Sequence, residues 1–279
     1  FGDNYIHVSE VDYFVEHTPE EPSALFKLAD QLRAFKPAEG TRRIAELVSS
    51  LVNDGDTVQI GWSMNTMLFP WLGVFDNKQD LGWCSELTPP GITTLIKNGV
   101  FTGRRKNVHT GKAVCTCLFG TKEERLFYAD NPTFELYDVS YTNHPRNIAA
   151  HDNVVAINGA MAIDLTGQMT TEVIPGMVWN GQAGQPEWVV GAMLSKGGRS
   201  IHCLNSTNRE GTASRIVPAL PEGTPVTISR YWADTVVTEH GIAHLLGKSL
   251  RERADVLIAI AHPNFRGELR QAARKMFWP

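Results

Sequence analysis

Residues 41–61 read TRRIAELVSSLVNDGDTVQIG. Ile44, Leu47, Val48, Leu51 and Val52 recur at i, i+3, i+4, i+7 and i+8, the apolar stripe of one helix face. Asn53-Asp54-Gly55-Asp56 then turns the chain, and Thr57-Val58-Gln59-Ile60-Gly61 follows as a short β-rich run. Helix, turn and strand in this order and at this spacing predict an α/β fold.

The same alternation continues toward the C-terminus. Leu81–Ser85 reads as a strand, Ile92–Lys97 as a helix behind Pro89-Pro90-Gly91, and Ala113–Phe119 as a further strand. Asn153–Ala160 and Met161–Thr166 are two apolar runs with little between them, which reads as a hairpin or a bulged strand. Ser200–Asn205 and Thr224–Ser229 are expected strands. Ser249-Leu250-Arg251-Glu252 fits a capping box. It opens a helix whose Leu250, Ala254, Leu257, Ile258 and Ala261 share a face, and His262-Pro263 should end it as the last helix.

Upstream, residues 1–40 are loop-rich, with Pro19, Pro22, Pro37 and Gly40, and carry a short helix near Ser23–Phe35. The chain opens on Phe1 rather than Met and reads like the interior of a longer protein. The expected division is therefore 1–40 as a lead-in from an N-terminal domain and 41–279 as the main unit.

Of the 279 residues, 42% are hydrophobic and 20% charged, enough for a sizeable core and against wholesale disorder. Lys+Arg is 26 against 30 Asp+Glu, a formal net charge of -4 with no block of one sign, so nucleic acid has no electrostatic footprint here. No apolar run approaches the ~20 residues that span a bilayer. Four cysteines, Cys84, Cys115, Cys117 and Cys203, are too few for a disulfide scaffold and fit a reducing cytoplasm.

Among candidates for chemistry, His240 and His244 have the i, i+4 spacing of two zinc ligands on a helix, but the H-E-x-x-H pattern is absent and no second Cys pair joins Cys115 and Cys117. No metal is expected. No serine elbow, P-loop or dinucleotide fingerprint occurs. Two glycine clusters, Asn180-Gly181-Gln182-Ala183-Gly184-Gln185 and Lys196-Gly197-Gly198-Arg199, could bring backbone N–H groups close to a ligand, or could be two ordinary turns. Glu86 follows the apolar run Leu81–Ser85 and precedes the Pro-Gly turn. That places an acid at a strand's carboxyl end, where α/β sheets bind ligands, though a cap or solvated loop acid would look the same.

Three longer stretches carry a resemblance: Thr235–Ala243 (TVVTEHGIA), Leu246–Ala254 (LGKSLRERA) and Ile260–Arg266 (IAHPNFR). With Ser195–Ile201, Asp164–Gln168 and Ile6–Asp12, they resemble the acetyl-CoA hydrolase/transferase family, the group of class I CoA-transferases that includes 4-hydroxybutyrate and acetate enzymes. The resemblance implies an α/β fold of the NagB/RpiA/CoA-transferase-like type, an open sheet with flanking helices, and makes this chain the catalytic C-terminal part. It implies coenzyme A as substrate and covalent intermediate, an acyl-CoA and a small carboxylate as partners, no membrane or nucleic-acid partner, and a homodimer.

Carried over residue by residue, the family's catalytic glutamate falls on Glu86, and its active-site asparagine on Asn158 of Ala156-Ile157-Asn158-Gly159-Ala160. The oxyanion and CoA loops fall on Gly61 and Trp62, and on Gly181, Ala183, Gly184 and Gln185 within Asn180–Trp188. Lys196, Gly197 and Gly198 are candidates for CoA binding, and Arg199, Arg215 and Lys248 are further cations for its phosphates. The implied chemistry is attack of the glutamate on an acyl-CoA thioester, an acyl-glutamyl anhydride, then a glutamyl-CoA thioester that a second acid reverses. Hydrolysis by the same glutamate, and a non-catalytic CoA-binding module, are the alternatives.

Two departures from the family pattern stand out. Gly61-Trp62-Ser63 replaces a Gly-x-Gly, and Gly181-Gln182-Ala183-Gly184 replaces a Gly-x-Gly-Gly. An alanine at 183 is expected to keep its place as a donor only at negative φ. Trp62 and Trp83 are expected to flank the site and reshape the acyl pocket, core packing being the plainer reading.

Overall fold

The structure is a computed structural model that describes residues 1–18, 24–174 and 177–278. Ser23, the expected start of the first helix, lies outside the described residues. Helix α1 (Ala24–Ala34) buries Ala29 and Leu32 against Met67, Leu68 and Phe119, so it packs on the main body. Helix α2 (Glu39–Ser49) forms on the expected stripe, and Thr41, Ile44, Ala45 and Val48 are buried. It ends four residues before Asn53, where the chain already bends toward the turn.

Strand β1 (Thr57–Ile60) is buried along its length because it lies inside an eight-stranded sheet. The chain then lays down β2 (Gly82–Thr88), α3 (Ile92–Lys97), β3 (Ala113–Leu118), α4 (Lys122–Tyr128) and β4 (Phe134–Leu136), moving outward on one side of β1. Two short helices, α5 (Val139–Thr142) and α6 (Pro145–Ala149), carry it back across, and β5 (Val154–Gly159) pairs parallel on the other side of β1. This reversal is a topological switch point, and in open α/β sheets the ligand crevice lies there, at the carboxyl ends of the strands.

Beyond β5 the expected hairpin does not form. β6 (Ala162–Asp164) leaves the main sheet and pairs with β7 (Met169–Thr170) in a smaller one, which separates the two apolar runs. A two-stranded ribbon, β8 (Val173–Ile174) and β9 (Met177–Val178), leads to α7 (Gln185–Leu194). β10 (Arg199–Cys203) returns to the main sheet beside β5, and β11 (Ile216–Val217) joins the small sheet on β6. β12 (Thr235–Thr238) continues the parallel order, and β13 (Gly241–His244) closes it antiparallel. The run Thr224–Ser229 is not a strand; it makes a single bridge, Ile228 to Met169.

Helix α8 (Leu250–Ala259) starts at the expected capping box, with the Ser249 side chain accepting from Glu252 N–H. His262-Pro263 does stop the helical run, but as a corner rather than an end. α9 (Arg266–Phe277) follows and packs Leu269 and Ala273 beside α8. His240 and His244 do not share a helix: Gly241–His244 is strand, in an antiparallel pair where i, i+4 spacing has no helical meaning. No described helix is long and apolar enough to cross a membrane.

The main sheet is covered on both faces, which is why its strands read as near-continuous apolar runs. On one face α2, α3 and Phe69, Phe75, Phe101 and Trp83 form the larger core. On the other, α6 and α7 cover Cys84, Val114, Val154 and Ala156 with Ile148, Trp188 and Ala192. Glu86 stands on this second face, two residues beyond Cys84 on β2.

Candidate active site

The parallel register brings a row of side chains to one level at the carboxyl end of the sheet. Val58 pairs with Trp83, and three residues on, Gly61 stands level with Glu86. Across β5 and β10, Asn158 pairs with His202. Gly61 has no side chain, and the Asn158 carboxamide fills its place: a Cβ at Gly61 would lie 2.0 Å from Asn158 Oδ1. Asn158 is 3% exposed, and its amide exchanges hydrogen bonds of 3.0 and 3.2 Å with Gln59. The loops after β1 and β5 are pressed together, since a Cβ at Gly159 would lie 2.6 Å from Ser63 Cβ.

Glu86 Oε2 accepts a 2.7 Å hydrogen bond from Asn143 Nδ2. Asn143 is itself fixed at its other end, where Oδ1 accepts from Trp188 Nε1 at 3.1 Å and from Thr142 Oγ1 at 3.2 Å. Trp188 is fully buried and Thr142 contacts Thr116 of β3, so the carboxamide orientation is locked from both the helix and the sheet. Glu86 Oε1 has no hydrogen-bond partner among the described residues. The carboxylate thus has one oxygen held and one free, facing a cleft of about 480 Å³ that Val139, Ser140, His144, Ala183, Gly184 and Glu187 line with it.

Helix α7 points its N-terminus at this carboxylate. Gly184 is its N-cap, at φ -84 and ψ 7. A Cβ there would lie 2.1 Å from Glu86 Oε2 and 2.3 Å from Asn143 Nδ2, so glycine is required by close approach rather than by backbone angle. The N–H groups of Ala183, Gly184 and Gln185 donate to no described acceptor. Free amides at a helix N-terminus favour negative charge, both directly and through the macrodipole. Gln185 anchors the helix start to the sheet: its Nε2 donates to Gly159 O at 3.1 Å and lies 3.4 Å from His202 Nδ1. Burial lowers the His202 pKa to about 4, and its neutral ring places Nε2 3.3 Å from Ser200 Oγ.

The expectation for Ala183 is corrected. Its φ is +50, in the left-handed region, where an L-residue costs roughly 1–2 kcal/mol. Alanine holds a glycine-like conformation here because the chain must turn sharply from the exposed stretch Met177–Gln182 into α7. Trp83 is likewise not at the site. It is 1% exposed on the other face, edge-on to Phe101, with Nε1 donating to Thr88 Oγ1. Trp62 is at the carboxyl end of β1 but 55% exposed, tilted against Phe119. Gly181 is exposed and faces open space.

Lys196, Gly197 and Gly198 are not brought to Glu86. They form the turn before β10 at the amino end of the parallel strands, whereas Glu86 is at the carboxyl end of β2. Glycine is needed there for the turn itself: a Cβ at Gly198 would lie 2.1 Å from Ala192 O. Arg199 is committed too, its guanidinium bound to Asp56 and to Leu51 O. One residue of the site, Asn143, carried no sequence signal, whereas Trp188 closes the expected loop Asn180–Trp188. His144-Pro145 marks a helix start, but nothing local distinguishes the asparagine before it.

The sequence model of the acetyl-CoA hydrolase/transferase C-terminal domain matches residues 120–273. The chain is 42% identical over 276 residues to the 4-hydroxybutyrate coenzyme A transferase of Clostridium kluyveri, covering 99% of this chain and 62% of that protein. It is 40% identical over 277 residues to the succinyl-CoA:cyclohexane-1-carboxylate CoA transferase of Geobacter metallireducens, covering 99% and 61%. The crystal structure of RipA from Yersinia pestis superposes with a TM-score of 0.84 at 39% identity, over 97% of this chain and 59% of that one. The 4-hydroxybutyrate CoA-transferase structure from Porphyromonas gingivalis gives 0.81 at 34% identity, over 99% and 63%. The chain therefore spans about three fifths of the length of these relatives. Its sequence, its open parallel sheet and the matched domain agree: the chain belongs to the acetyl-CoA hydrolase/transferase family.

Proposed function

We propose that this chain carries the catalytic part of an acyl-CoA:carboxylate CoA-transferase that works through a glutamyl-CoA thioester on Glu86. The observation that carries the reading is the half-tethered carboxylate: Oε2 held at 2.7 Å by Asn143, Oε1 free toward a cleft, and unpaired amides of α7 beside it. Oε1 attacks the thioester carbonyl of an acyl-CoA. The tetrahedral oxyanion that forms is stabilised by the Ala183 and Gly184 N–H groups, and collapse expels the CoA thiolate and leaves an acyl-glutamyl anhydride. The thiolate then attacks the glutamyl carbonyl of the anhydride, releases the first carboxylate and leaves glutamyl-CoA. A second carboxylate reverses the sequence.

Losing one preorganised oxyanion donor in such a step costs roughly 10²–10³ in rate, so the amides of α7 contribute substantially beside the nucleophile. Asn158, across Gly61 from Glu86, supports the reading as a buried polar floor whose amide is already paired with Gln59. The four cysteines are all unpaired, which supports a reducing compartment.

The test uses the full-length protein with acetyl-, butyryl- and succinyl-CoA, followed by intact mass and peptide mapping. A CoA-sized, hydroxylamine-labile addition on the Glu86 peptide is expected, absent in Glu86→Gln. An adduct that persists in Glu86→Gln, or none with any donor, overturns the reading. Turnover with and without an acceptor acid then separates transfer from hydrolysis.

A further inference from the structure

Two of the α-helices close their N-terminus with a glutamate at the third position. In α4, Glu124 reaches back to accept from Thr121 N–H at 2.9 Å, and in α8, Glu252 accepts from Ser249 N–H at 2.7 Å. In α7, Glu187 occupies the same position but makes no such bond, and the Gly184 N–H stays open. Neither oxygen of Glu187 has a hydrogen-bond or ion-pair partner among the described residues, and Oε2 is also sealed from water. His144, which lines the same cleft, does not relieve it; its Nδ1 is taken by Arg146 N–H at 3.2 Å.

A half-buried carboxylate without a donor is costly, and a buried unsatisfied polar group is a site where function is expected. Glu187 lines the cleft that holds Glu86. Glu187 lies three residues along α7 from Gly184, about 4.5 Å along the helix axis, and Gly184 abuts Glu86. Glu187 thus stands one helical turn from the residue that abuts Glu86.

We infer that Glu187 sets acyl specificity: it accepts a hydrogen bond from a donor group on the acyl chain, such as a hydroxyl, and repels an acyl chain that ends in a second carboxylate. The inference rests on the transferase reading above. Its chemistry is that of an acceptor-only group lining the cleft beside Glu86. A donor satisfies it, an apolar chain leaves it as it is, and a second anion meets like-charge repulsion. The open Gly184 N–H follows from the same arrangement, because a glutamate that reached back would block an oxyanion donor.

The test compares full-length wild type with Glu187→Gln, reading kcat/KM for butyrate, 4-hydroxybutyrate and succinate as acceptors, with the Glu86 adduct measured in both. Glutamine keeps the size and gains a donor. Relative to butyrate, 4-hydroxybutyrate is expected to lose about 5- to 10-fold, because the glutamine carbonyl still accepts but without the charge, and succinate to gain about 10-fold as the like-charge repulsion goes. Glu187→Asp, which keeps the charge but shortens the reach, should still reject succinate while losing the hydroxyl preference. Adduct formation with both ratios unchanged overturns this inference alone. So does an equal loss for all three acids, which would assign Glu187 to CoA or to the fold. Absence of the adduct in wild type overturns the transferase reading and this one with it.

Discussion

Replacing Gly184 by alanine tests the geometry of the site most directly. The added Cβ would lie 2.1 Å from Glu86 Oε2, against a floor of 3.0 Å for such contacts, so the carboxylate must retreat by about 0.9 Å. Asn143 Nδ2, at 2.3 Å, must move as well, which breaks the 2.7 Å bond that holds Glu86. Both atoms are ends of side chains rather than backbone, so the clash is relieved at the cost of the Asn143 tether and not of the main chain. The φ of -84 suits alanine, and the loss of a glycine N-cap costs at most about 1 kcal/mol. Catalysis does not yield cheaply, because a misplacement near 1 Å costs roughly 10²-fold. The assay is single-turnover formation of the Glu86 adduct from acyl-CoA, with thermal melting alongside. Gly184→Ala should slow the adduct by about 10²-fold or more with little change in melting temperature. Gly267→Ala on α9, whose Cβ meets nothing within 4 Å, should leave the rate alone. A Gly184→Ala protein that forms the adduct at the wild-type rate refutes the packing of α7 against Glu86.

Other outcomes follow from the same contacts. Asn143→Ala removes a hydrogen bond to a charged acceptor, worth about 1.5–3 kcal/mol, so adduct formation should fall roughly 10- to 100-fold; an unchanged rate would show that Glu86 needs no tether. Ala183→Gly removes left-handed strain of roughly 1–2 kcal/mol but adds about 0.5–1 kcal/mol of chain entropy, so a urea titration should show a gain of up to about 1 kcal/mol. Burial lowers His202 to about 4 and His151 to about 3, both from 6.5. Each folded-state pKa is depressed, so this stability is complete above pH 6.5 and is lost as pH falls toward those values, by about 1.4 kcal/mol per pH unit for each ring. Urea titrations at pH 7.5 and pH 5 should differ accordingly, and His202→Gln should flatten the dependence. Arg199→Met leaves Asp56, 3% exposed, without its partner and should destabilise the fold by about 3–5 kcal/mol on chemical denaturation, Asp56→Asn restoring part of the loss.

Local patterns in the chain were good guides where one element carried its own signal. The stripe Ile44, Leu47, Val48, the turn at Asn53–Asp56 and the box Ser249–Glu252 each appear where expected, because periodicity and capping are read within a few residues, while Leu51 falls just past the end of α2. The pattern failed where tertiary pairing decides. Asn153–Thr166 looks like a hairpin because both halves are apolar, yet the halves join different sheets. The apolar run Thr224–Ser229 touches the small sheet by a single bridge. Trp83 and Trp62 look equivalent near the site, but strand alternation sends Trp83 into the core and the end of β1 leaves Trp62 exposed.

By itself the sequence determined the α/β alternation, the family and the strand-end position of Glu86. Those properties follow from side-chain periodicity and from contiguous motifs. Only the tertiary structure decided what surrounds that acid. Asn143 is 57 residues away in sequence from Glu86 and becomes its partner because the chain crosses from β4 back to β5 at the switch point. The Lys196–Gly198 turn, which resembled a binding loop, is carried to the amino end because β10 runs parallel to β2. The unpartnered carboxylate of Glu187 shows only when α7 is set against α6 and the sheet. Spacing along a chain fixes which face a residue takes, whereas contact between distant residues depends on strand order and direction, which no local pattern encodes.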